Sequence, residues 1–264
     1  MIAANYFLPS LTLLQRELVR FFRQRNRVIG ALGSPLVLWV LMGTGLSSSF
    51  HPPSMPEKMS AVEYFFPGTM TLIILFTSIF STISIIEDRR EGFLQSVLVA
   101  PIPRTAIVLG KVLGGTAIAF IQSILFLLLA PFVGIELTLF SVCISLGIVI
   151  LLGFALTGLG FTIAWKMDST QGFHAIMNLF LIPMWLLSGA FFPISDSSWL
   201  GWIMRLNPLT YGVAALRQGL YGSSTSWNWN LPSMTVAVGF TILFGLTFFL
   251  LSLWIVGKRG KSAA

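Results

Sequence analysis

The chain has 264 residues, of which 55% are hydrophobic and 9% are charged, and its formal net charge is +7. Soluble globular domains carry about 25% charged residues, so this composition excludes a water-soluble globular protein. The sequence predicts an all-α polytopic membrane protein that forms one transmembrane domain over residues 1–264, with no large soluble domain. The single cysteine, Cys143, lies in an apolar run, and His51 has no spaced partners, so we expect neither a disulfide nor a metal site.

Residues 9–27 predict a helix that lies on the membrane surface. Arginines recur at spacings of four, three and four residues, which places them on one narrow stripe: Arg16, Arg20, Arg23 and Arg27. Apolar residues occupy the opposite side: Leu11, Leu14, Leu18, Phe21 and Phe22. A basic amphipathic helix of this kind binds the anionic lipids of the cytoplasmic leaflet. The alternative is a basic flank that sets the topology alone.

Six apolar segments within residues 28–256 are each long enough to cross a hydrocarbon core of about 30 Å. They are approximately Val28–Leu46, Phe65–Ile86, Ala106–Pro131, Leu139–Ala164, Ala175–Phe192 and Met234–Val256. The fifth segment contains Pro183, which predicts a kinked or broken helix. Lys111 lies near the start of the third segment, within reach of the membrane surface.

The basic residues are distributed unevenly between the two sides of this predicted bundle. One side carries 13 of the 16 lysine and arginine residues: Arg16, Arg20, Arg23, Arg25, Arg27, Arg89, Arg90, Arg104, Lys111, Lys166, Lys258, Arg259 and Lys261. Cytoplasmic loops carry the excess of basic residues, so both termini are predicted to be cytoplasmic. The positive charge therefore indicates membrane topology, and we expect no binding of nucleic acid.

Residues 87–105 join the second and third apolar segments and combine charge with an apolar pattern. The segment begins with Glu87, Asp88, Arg89, Arg90, Glu91 and Gly92. Phe93, Leu94, Val97 and Leu98 follow at helical spacing, and Pro101 ends the pattern because its ring interrupts the hydrogen-bond ladder. We predict one short amphipathic helix that docks a soluble partner, with acids at its N-terminus and Phe93 and Leu94 as anchors. The alternative is a solvated loop whose apolar side rests on lipid.

Residues 193–232 form the longest segment on the other side. Apolar residues at helical spacing flank Asn207-Pro208, which predicts two short helices separated there. We expect these to be re-entrant helices that cap a pathway before the last span, since irregular backbone at membrane depth is tolerated beside protein or a wet cavity. The alternative is anchoring by interfacial Trp and Tyr side chains.

Two motifs resemble the ABC-2 type transporter permeases. The first is Glu87-Asp-Arg-Arg-Glu91-Gly92-x-Leu94, followed by Pro101 and Gly110-Lys111. The second is Pro193, then Asn207-Pro208-Leu-Thr-Tyr211, then Arg217. One departure is Gln95, where many members of the family have an acid, so this sequence gives no support for an ionic contact at position 95. Together with the six segments, the resemblance covers nearly the whole chain.

The resemblance implies a permease subunit of an exporter in the bacterial inner or plasma membrane. In that family, the loop that corresponds to residues 87–105 of this chain carries a coupling helix, which contacts a separate cytoplasmic ATPase subunit. ATP and Mg²⁺ would then be bound by that subunit, with no cofactor in this chain. A second permease copy, identical or related, would complete the pathway. The cargo would be a drug-like, lipid or other amphipathic molecule.

Motifs for catalysis are missing from the sequence. There is no Gly-x-x-x-x-Gly-Lys-Ser/Thr phosphate loop and no His-Glu-x-x-His zinc motif. We therefore expect no enzyme activity in this chain. Two other functions remain open at this point, namely a heme-exporter-like permease and a membrane scaffold or assembly factor without a transport pathway.

Overall fold

A computed structural model describes residues 4–47, 50, 59–192, 199–222 and 231–259. Within these ranges, all the regular secondary structure is helical. The α-helices are α1 (Ala4–Arg23), α2 (Arg25–Gly45), α3 (Ala61–Ser81), α4 (Ile83–Arg90), α5 (Phe93–Val99), α6 (Arg104–Leu127), α7 (Leu139–Ala164), α8 (Thr170–Trp185), α9 (Trp199–Leu206), α10 (Pro208–Tyr221) and α11 (Met234–Arg259). A 3₁₀ turn covers Ala130–Val133, and a π-helical turn covers Leu186–Ala190.

The predicted all-α fold with six membrane-spanning helices is confirmed. The helices that are long and apolar enough to span a membrane are Arg27–Gly45, Ala61–Arg90, Arg104–Leu127, Leu139–Ala164, Thr170–Ala190 and Met234–Lys258. The second span is longer than predicted because α4 continues α3 after a break at Thr82. Pro183 lies inside α8, but the irregular backbone follows it, at Leu187 and Gly189.

The second span is the centre of the bundle. In the most apolar stretch of Ala61–Arg90, 89% of the residues are buried inside the protein. In the corresponding stretches of the first and last spans, 17% and 22% of the residues are buried. Helix α3 packs against α2, α6, α7, α8 and α10. The first and last spans therefore present most of their apolar surface outwards, as membrane spans do towards lipid or another subunit.

The bundle has two ends that differ in composition, which we call the α5 end and the α10 end. Helices α1, α4 and α5 lie at the α5 end. The described end of α11 also lies there, because Arg104 at the start of α6 donates a hydrogen bond to the carbonyl oxygen of Gly257 at 3.1 Å. Helices α9 and α10 lie at the other end, next to the start of α3.

Helix α1 packs closely along α6. A Cβ atom at Gly110 would lie 2.6 Å from Cβ of Leu13, and one at Gly114 would lie 2.8 Å from Cβ of Glu17. These glycines therefore let the two helix backbones approach, as small residues do in membrane helix pairs. The prediction of one surface helix over residues 9–27 was wrong in its bounds, because α1 ends at Arg23 and Arg27 belongs to α2.

Two short helices occupy residues 199–221 within the 193–232 segment, as predicted. Helix α9 ends at Leu206 and α10 begins at Pro208, with Asn207 between them. Pro208 is the first residue of α10, a position where a backbone N–H would have no partner within the helix. Pro208 therefore favours the start of α10 and does not itself end α9. That these helices dip into a bilayer stays a prediction.

Candidate functional site

Asp88 is the centre of a buried charge cluster at the α5 end. Its side chain is fully buried, and both carboxylate oxygens accept hydrogen bonds from Arg16, at 2.9 and 2.7 Å. Arg20 donates another at 2.7 Å, and Lys111 donates a further one. Three cations from two other helices therefore converge on one carboxylate of α4.

Lys111 connects α6 to this centre from inside the protein. It is 5% exposed, and its ammonium group donates to Oε1 of Glu17 at 2.5 Å and to Oγ of Ser84 at 3.1 Å. Both acids that it contacts, Glu17 and Asp88, are themselves buried. Because a buried charge without a partner is very costly, this arrangement fixes α1, α4 and α6 relative to one another.

The rim of the cluster is more exposed and joins α1 and α2 to α4. Arg20 pairs with Glu87 at 2.9 Å and with Glu91 at 3.3 Å, and Arg27 pairs with Glu87 at 3.2 Å. The charge cluster thus contains four bases and four acids: Arg16, Arg20, Arg27, Lys111, Glu17, Glu87, Asp88 and Glu91. Burial lowers the pKa of Arg16, but its hydrogen bond to Asp88 and the negative charges of Asp88, Glu17 and Glu91 together raise that pKa above the ordinary value.

This cluster corrects the reading of the basic stripe. Arg16 and Arg20 were predicted to face lipid, and Arg27 with them, but all three pair with carboxylates of this chain. Arg23 is the member of the stripe that is exposed and makes no ion pair with any described residue. Helical periodicity placed Arg16, Arg20 and Arg23 on one side of α1, although Arg27 lies on α2, and it did not show whether a carboxylate or a lipid phosphate would meet them. The buried Lys111 was the available signal that acids had to lie nearby.

The opposite side of α4 is fixed to the connection between α7 and α8. Arg89 donates to the carbonyl oxygens of Trp165 and Met167, at 2.5 and 3.1 Å, and to the carboxylate of Asp168 at 2.8 Å. Arg90 donates from Nε to the carbonyl oxygen of Asp168 at 2.9 Å. The charged end of α4 is therefore attached on two sides, which gives α5 a fixed base.

Helix α5 begins later than predicted. Gly92 has φ = +76°, a left-handed conformation that a side chain disfavours, and α5 starts at the next residue. Glu87, Asp88 and Arg90 belong to α4, and Glu91 caps its C-terminal end. The prediction that these acids stabilise the N-terminus of the short helix was therefore wrong. The helix stops at Val99, two residues before Pro101.

The two sides of α5 differ in exposure. Leu94 is 3% exposed, and Phe93 is half-buried with the guanidinium carbon of Arg16 3.7 Å from its ring centre. These two side chains hold α5 against its own chain. The prediction that Leu94 anchors a partner was therefore wrong, because Leu94 is buried within this chain. Exposed positions are Gln95, Ser96, Leu98, Val99 and Pro101, whereas Val97 is half-buried.

A cavity of about 480 Å³ lies between α2, α3 and α8. Its wall is mainly apolar and includes Phe76, Phe80 and Trp185. Asn178 and His174 contribute polar groups, and Arg27 of the charge cluster lies at its border. The composition of this wall suits a molecule with a large apolar part and few polar groups. Within the described ranges, no group of three or more His, Cys, Asp or Glu residues could hold a metal ion.

The residues predicted for the outer cap lie together at the α10 end, except Pro193, which lies outside the described residues. Asn207 caps α10 by accepting from the backbone N–H of Leu209 at 3.0 Å. Its amide donates to the carbonyl oxygen of Met184 at 2.5 Å. Tyr211 donates to the carbonyl oxygen of Arg205 at 2.9 Å. These residues connect the two short helices to the end of α8.

Arg217 is buried at this end, beside α3. It is 2% exposed, its guanidinium carbon lies 4.6 Å from the ring centre of Tyr64, and it donates to the carbonyl oxygen of Tyr64 at 3.4 Å. Tyr221 donates to the carbonyl oxygen of Glu63 at 2.7 Å. Burial, and then the neighbouring Glu63 carboxylate, raise the pKa of Tyr221 well above its ordinary value, so the hydroxyl stays a donor.

Comparison with known proteins places these features in a family. The sequence pattern described as "ABC-2 type transporter" matches residues 10–221, which includes both the charge cluster and α10. The putative transport permease ycf38 of Cyanophora paradoxa is 27% identical, over 99% of this chain and 92% of its own length.

Two relatives come from Escherichia coli (strain K12). The probable multidrug ABC transporter permease YbhR is 24% identical, over 90% of this chain and 61% of its own length. The inner membrane transport permease YadH is 23% identical, over 76% of this chain and 77% of its own length. With six spanning helices and a family match over most of its length, the chain belongs to the ABC-2 type transporter family of membrane transport permeases.

Proposed function

We propose that this chain is the membrane subunit of an ATP-driven exporter and that a separate ATPase subunit docks on α5. The α5 end and both termini would face the cytoplasm, where ATP is available, and the partner would bind ATP and Mg²⁺. Two such permeases would form the pathway, and α1 would lie against the lipid surface. The main support is α5 itself, a short helix with an exposed side and a base fixed to the bundle.

The contacts of α5 give a route for force from the partner to the spans. Phe93 and Leu94 hold α5 against its own chain, and Phe93 stacks on Arg16 of the charge cluster. The cluster then links α1, α2, α4 and α6 through ion pairs. A displacement of α5 by the ATPase would therefore move several helices together, including α2 and the second span, which border the cavity.

The cavity supports an amphipathic cargo. Its aromatic wall and few polar groups favour a molecule with a large apolar part. The name of YbhR refers to multidrug transport, which agrees with this class of cargo. Helix α8 and the first span border the cavity. Because the first span is mostly exposed, a second permease could pack against it next to the cavity.

Substitution of Val99 tests the docking site. Val99 is 84% exposed on α5, and Phe132, in the turn between α6 and α7, is 85% exposed at the other end of α6. The chain would be tagged and expressed with candidate ABC ATPase subunits from the same organism, and the ATPase retained per permease would be measured. Since a central apolar contact often contributes about 2 kcal/mol or more, we expect Val99→Asp to weaken retention about thirtyfold. Phe132→Asp introduces the same charged residue at a position of equal exposure, but far from α5, so this variant should retain the ATPase.

The outcomes separate the possible functions. Equal retention by both variants would show that the ATPase docks elsewhere. A wild-type chain that retains no ATPase would contradict the exporter and favour a scaffold or assembly factor. Stimulation of ATP hydrolysis by heme, and not by amphipathic drugs or lipids, would favour the heme-exporter-like permease.

A further inference from the structure

Helix α1 has an exposed apolar face that its packing on α6 leaves uncovered. Large apolar side chains are exposed along its length: Tyr6, Phe7, Leu8, Leu11, Val19 and Phe22. At about 100° per residue, Phe7, Leu11 and Phe22 lie within one narrow sector. The residues that pack on α6, Leu13 and Glu17, lie on a different side. In a membrane protein such a face lies against lipid at the level of the headgroups.

A cleft of about 470 Å³ borders this face at the end of α1. It is lined by Arg16, Val19, Arg20, Arg23, Gln24 and Glu91. Arg16 and Arg20 are held by Asp88, and Glu91 pairs with Arg20 at 3.3 Å. Arg23 is exposed and has no acidic partner among the described residues. The cleft therefore contains three guanidinium groups and one carboxylate, and its excess positive charge is carried by Arg23.

We propose that this cleft binds the headgroup phosphate of one anionic phospholipid. Guanidinium groups bind phosphate oxygens with two parallel hydrogen bonds, so Arg23 is the main ligand. Val19 lines the cleft and Phe22 adjoins Arg23 on the exposed face, so an acyl chain can lie along α1 while the phosphate stays in the cleft. The inference rests on the proposed lipid contact of α1 and stands whether or not an ATPase docks on α5.

Arg25 supplies a matched control. It is also an exposed arginine, two residues further along at the start of α2, and it does not line the cleft. If general attraction between basic residues and anionic lipid were the cause, Arg23→Gln and Arg25→Gln would weaken binding equally. A defined site predicts a large effect for Arg23→Gln alone.

The experiment measures binding of phosphatidylglycerol to the purified, detergent-solubilised permease by native mass spectrometry. We expect Arg23→Gln to weaken binding about tenfold, because a charge-assisted bond is lost, and Arg25→Gln to change it by less than about threefold. Arg23→Lys, which keeps the charge without the planar fork, should fall between wild type and Arg23→Gln. Size-exclusion chromatography checks that each variant is folded.

Three results would overturn the proposal. One is an equal effect of the Arg23 and Arg25 substitutions. Another is equal binding of phosphatidylcholine, whose headgroup carries no net charge. The third is full displacement of phosphatidylglycerol by inorganic phosphate, which would assign the cleft to a free anion instead of a lipid. Loss of ATPase retention in the Val99→Asp variant does not bear on any of them.

Discussion

The two ends of the bundle are held together by different chemistry. At the α5 end, ion pairs between side chains connect α1, α2, α4 and α6, with Asp88 and Lys111 at the centre. At the α10 end, side chains donate to backbone carbonyl oxygens of another helix, and Arg217 is a charged donor among them. Trp185 donates to Gly68 at 2.7 Å, Asn207 to Met184 at 2.5 Å and Tyr221 to Glu63 at 2.7 Å.

The difference follows from the backbone at each end. The π-helical turn at Leu186–Ala190 begins two residues after Met184 and leaves the carbonyl group there in need of a donor. In α3, Pro67 has no N–H for the carbonyl oxygen of Glu63, which accepts from Tyr221 instead. At the α5 end ion pairs between side chains join the helices, and the carbonyl oxygens that accept from Arg89, Arg90 and Arg104 lie at or beyond helix ends. The comparison therefore shows two kinds of interaction, with ion pairs between side chains joining the helices at the α5 end and hydrogen bonds to backbone carbonyl groups joining them at the α10 end.

The largest expected effect is that of Asp88→Asn. The amide keeps the shape of the side chain but leaves Arg16, Arg20 and Lys111 without their shared negative charge. Removing one charged partner of a buried ion pair while the other stays buried costs about 3–5 kcal/mol. The free energy of unfolding should therefore fall by about that amount. Thermal unfolding of the purified permease in detergent measures it.

Two variants control this prediction. Glu63→Gln makes the same chemical change at the α10 end, where Glu63 has no ion pair among the described residues, and should cost much less. Asp88→Asn with Lys111→Met should be milder than Asp88→Asn alone, because the second substitution restores the net charge of the cluster and Glu17 still has Arg16 3.6 Å away. A double variant as unstable as the sum of its parts would show that the cluster does not act through charge.

A smaller effect is expected for Asn207→Ala. The variant loses the cap of α10, worth about 1 kcal/mol, and the bond to Met184, worth about 1 kcal/mol more. Because both bonds are neutral, the loss should be the same in low and high salt. Asn207→Ser keeps a capping oxygen and removes the amide donor, so it should lose the second part only. Strong salt dependence of the Asn207→Ala effect would contradict the division between the two ends.

The smallest effect is expected for Glu91→Ala. The side chain of Glu91 is 59% exposed, and its contact with Arg20 is 3.3 Å long. Exposed pairs contribute about 1 kcal/mol or less, and salt screens them, so the change in unfolding free energy should vanish in high salt. Chemical unfolding of the permease at two salt concentrations checks this. A loss as large as that of Asp88→Asn would place Glu91 in the centre of the cluster instead of at its rim.

Local sequence features determined the architecture of this protein. Six apolar segments of sufficient length fixed the six spans, because hydrocarbon thickness sets helix length. Asn207 and Pro208 fixed the boundary between α9 and α10, since one is a cap and the other fits the first turn. The existence of α5 also followed from local pattern, although its start depended on the backbone conformation of Gly92.

Only the tertiary structure decided the partners of the charged side chains. Arg16 and Asp88 are 72 residues apart in the sequence, and Lys111 and Glu17 are 94 apart. Their pairing depends on how α1 packs along Gly110 and Gly114 of α6. Periodicity shows that residues share a face, but it does not show whether that face meets lipid or a carboxylate, because both satisfy an arginine. For this reason Arg23, alone of the stripe, makes no ion pair with a described residue, and Leu94 belongs to the protein interior.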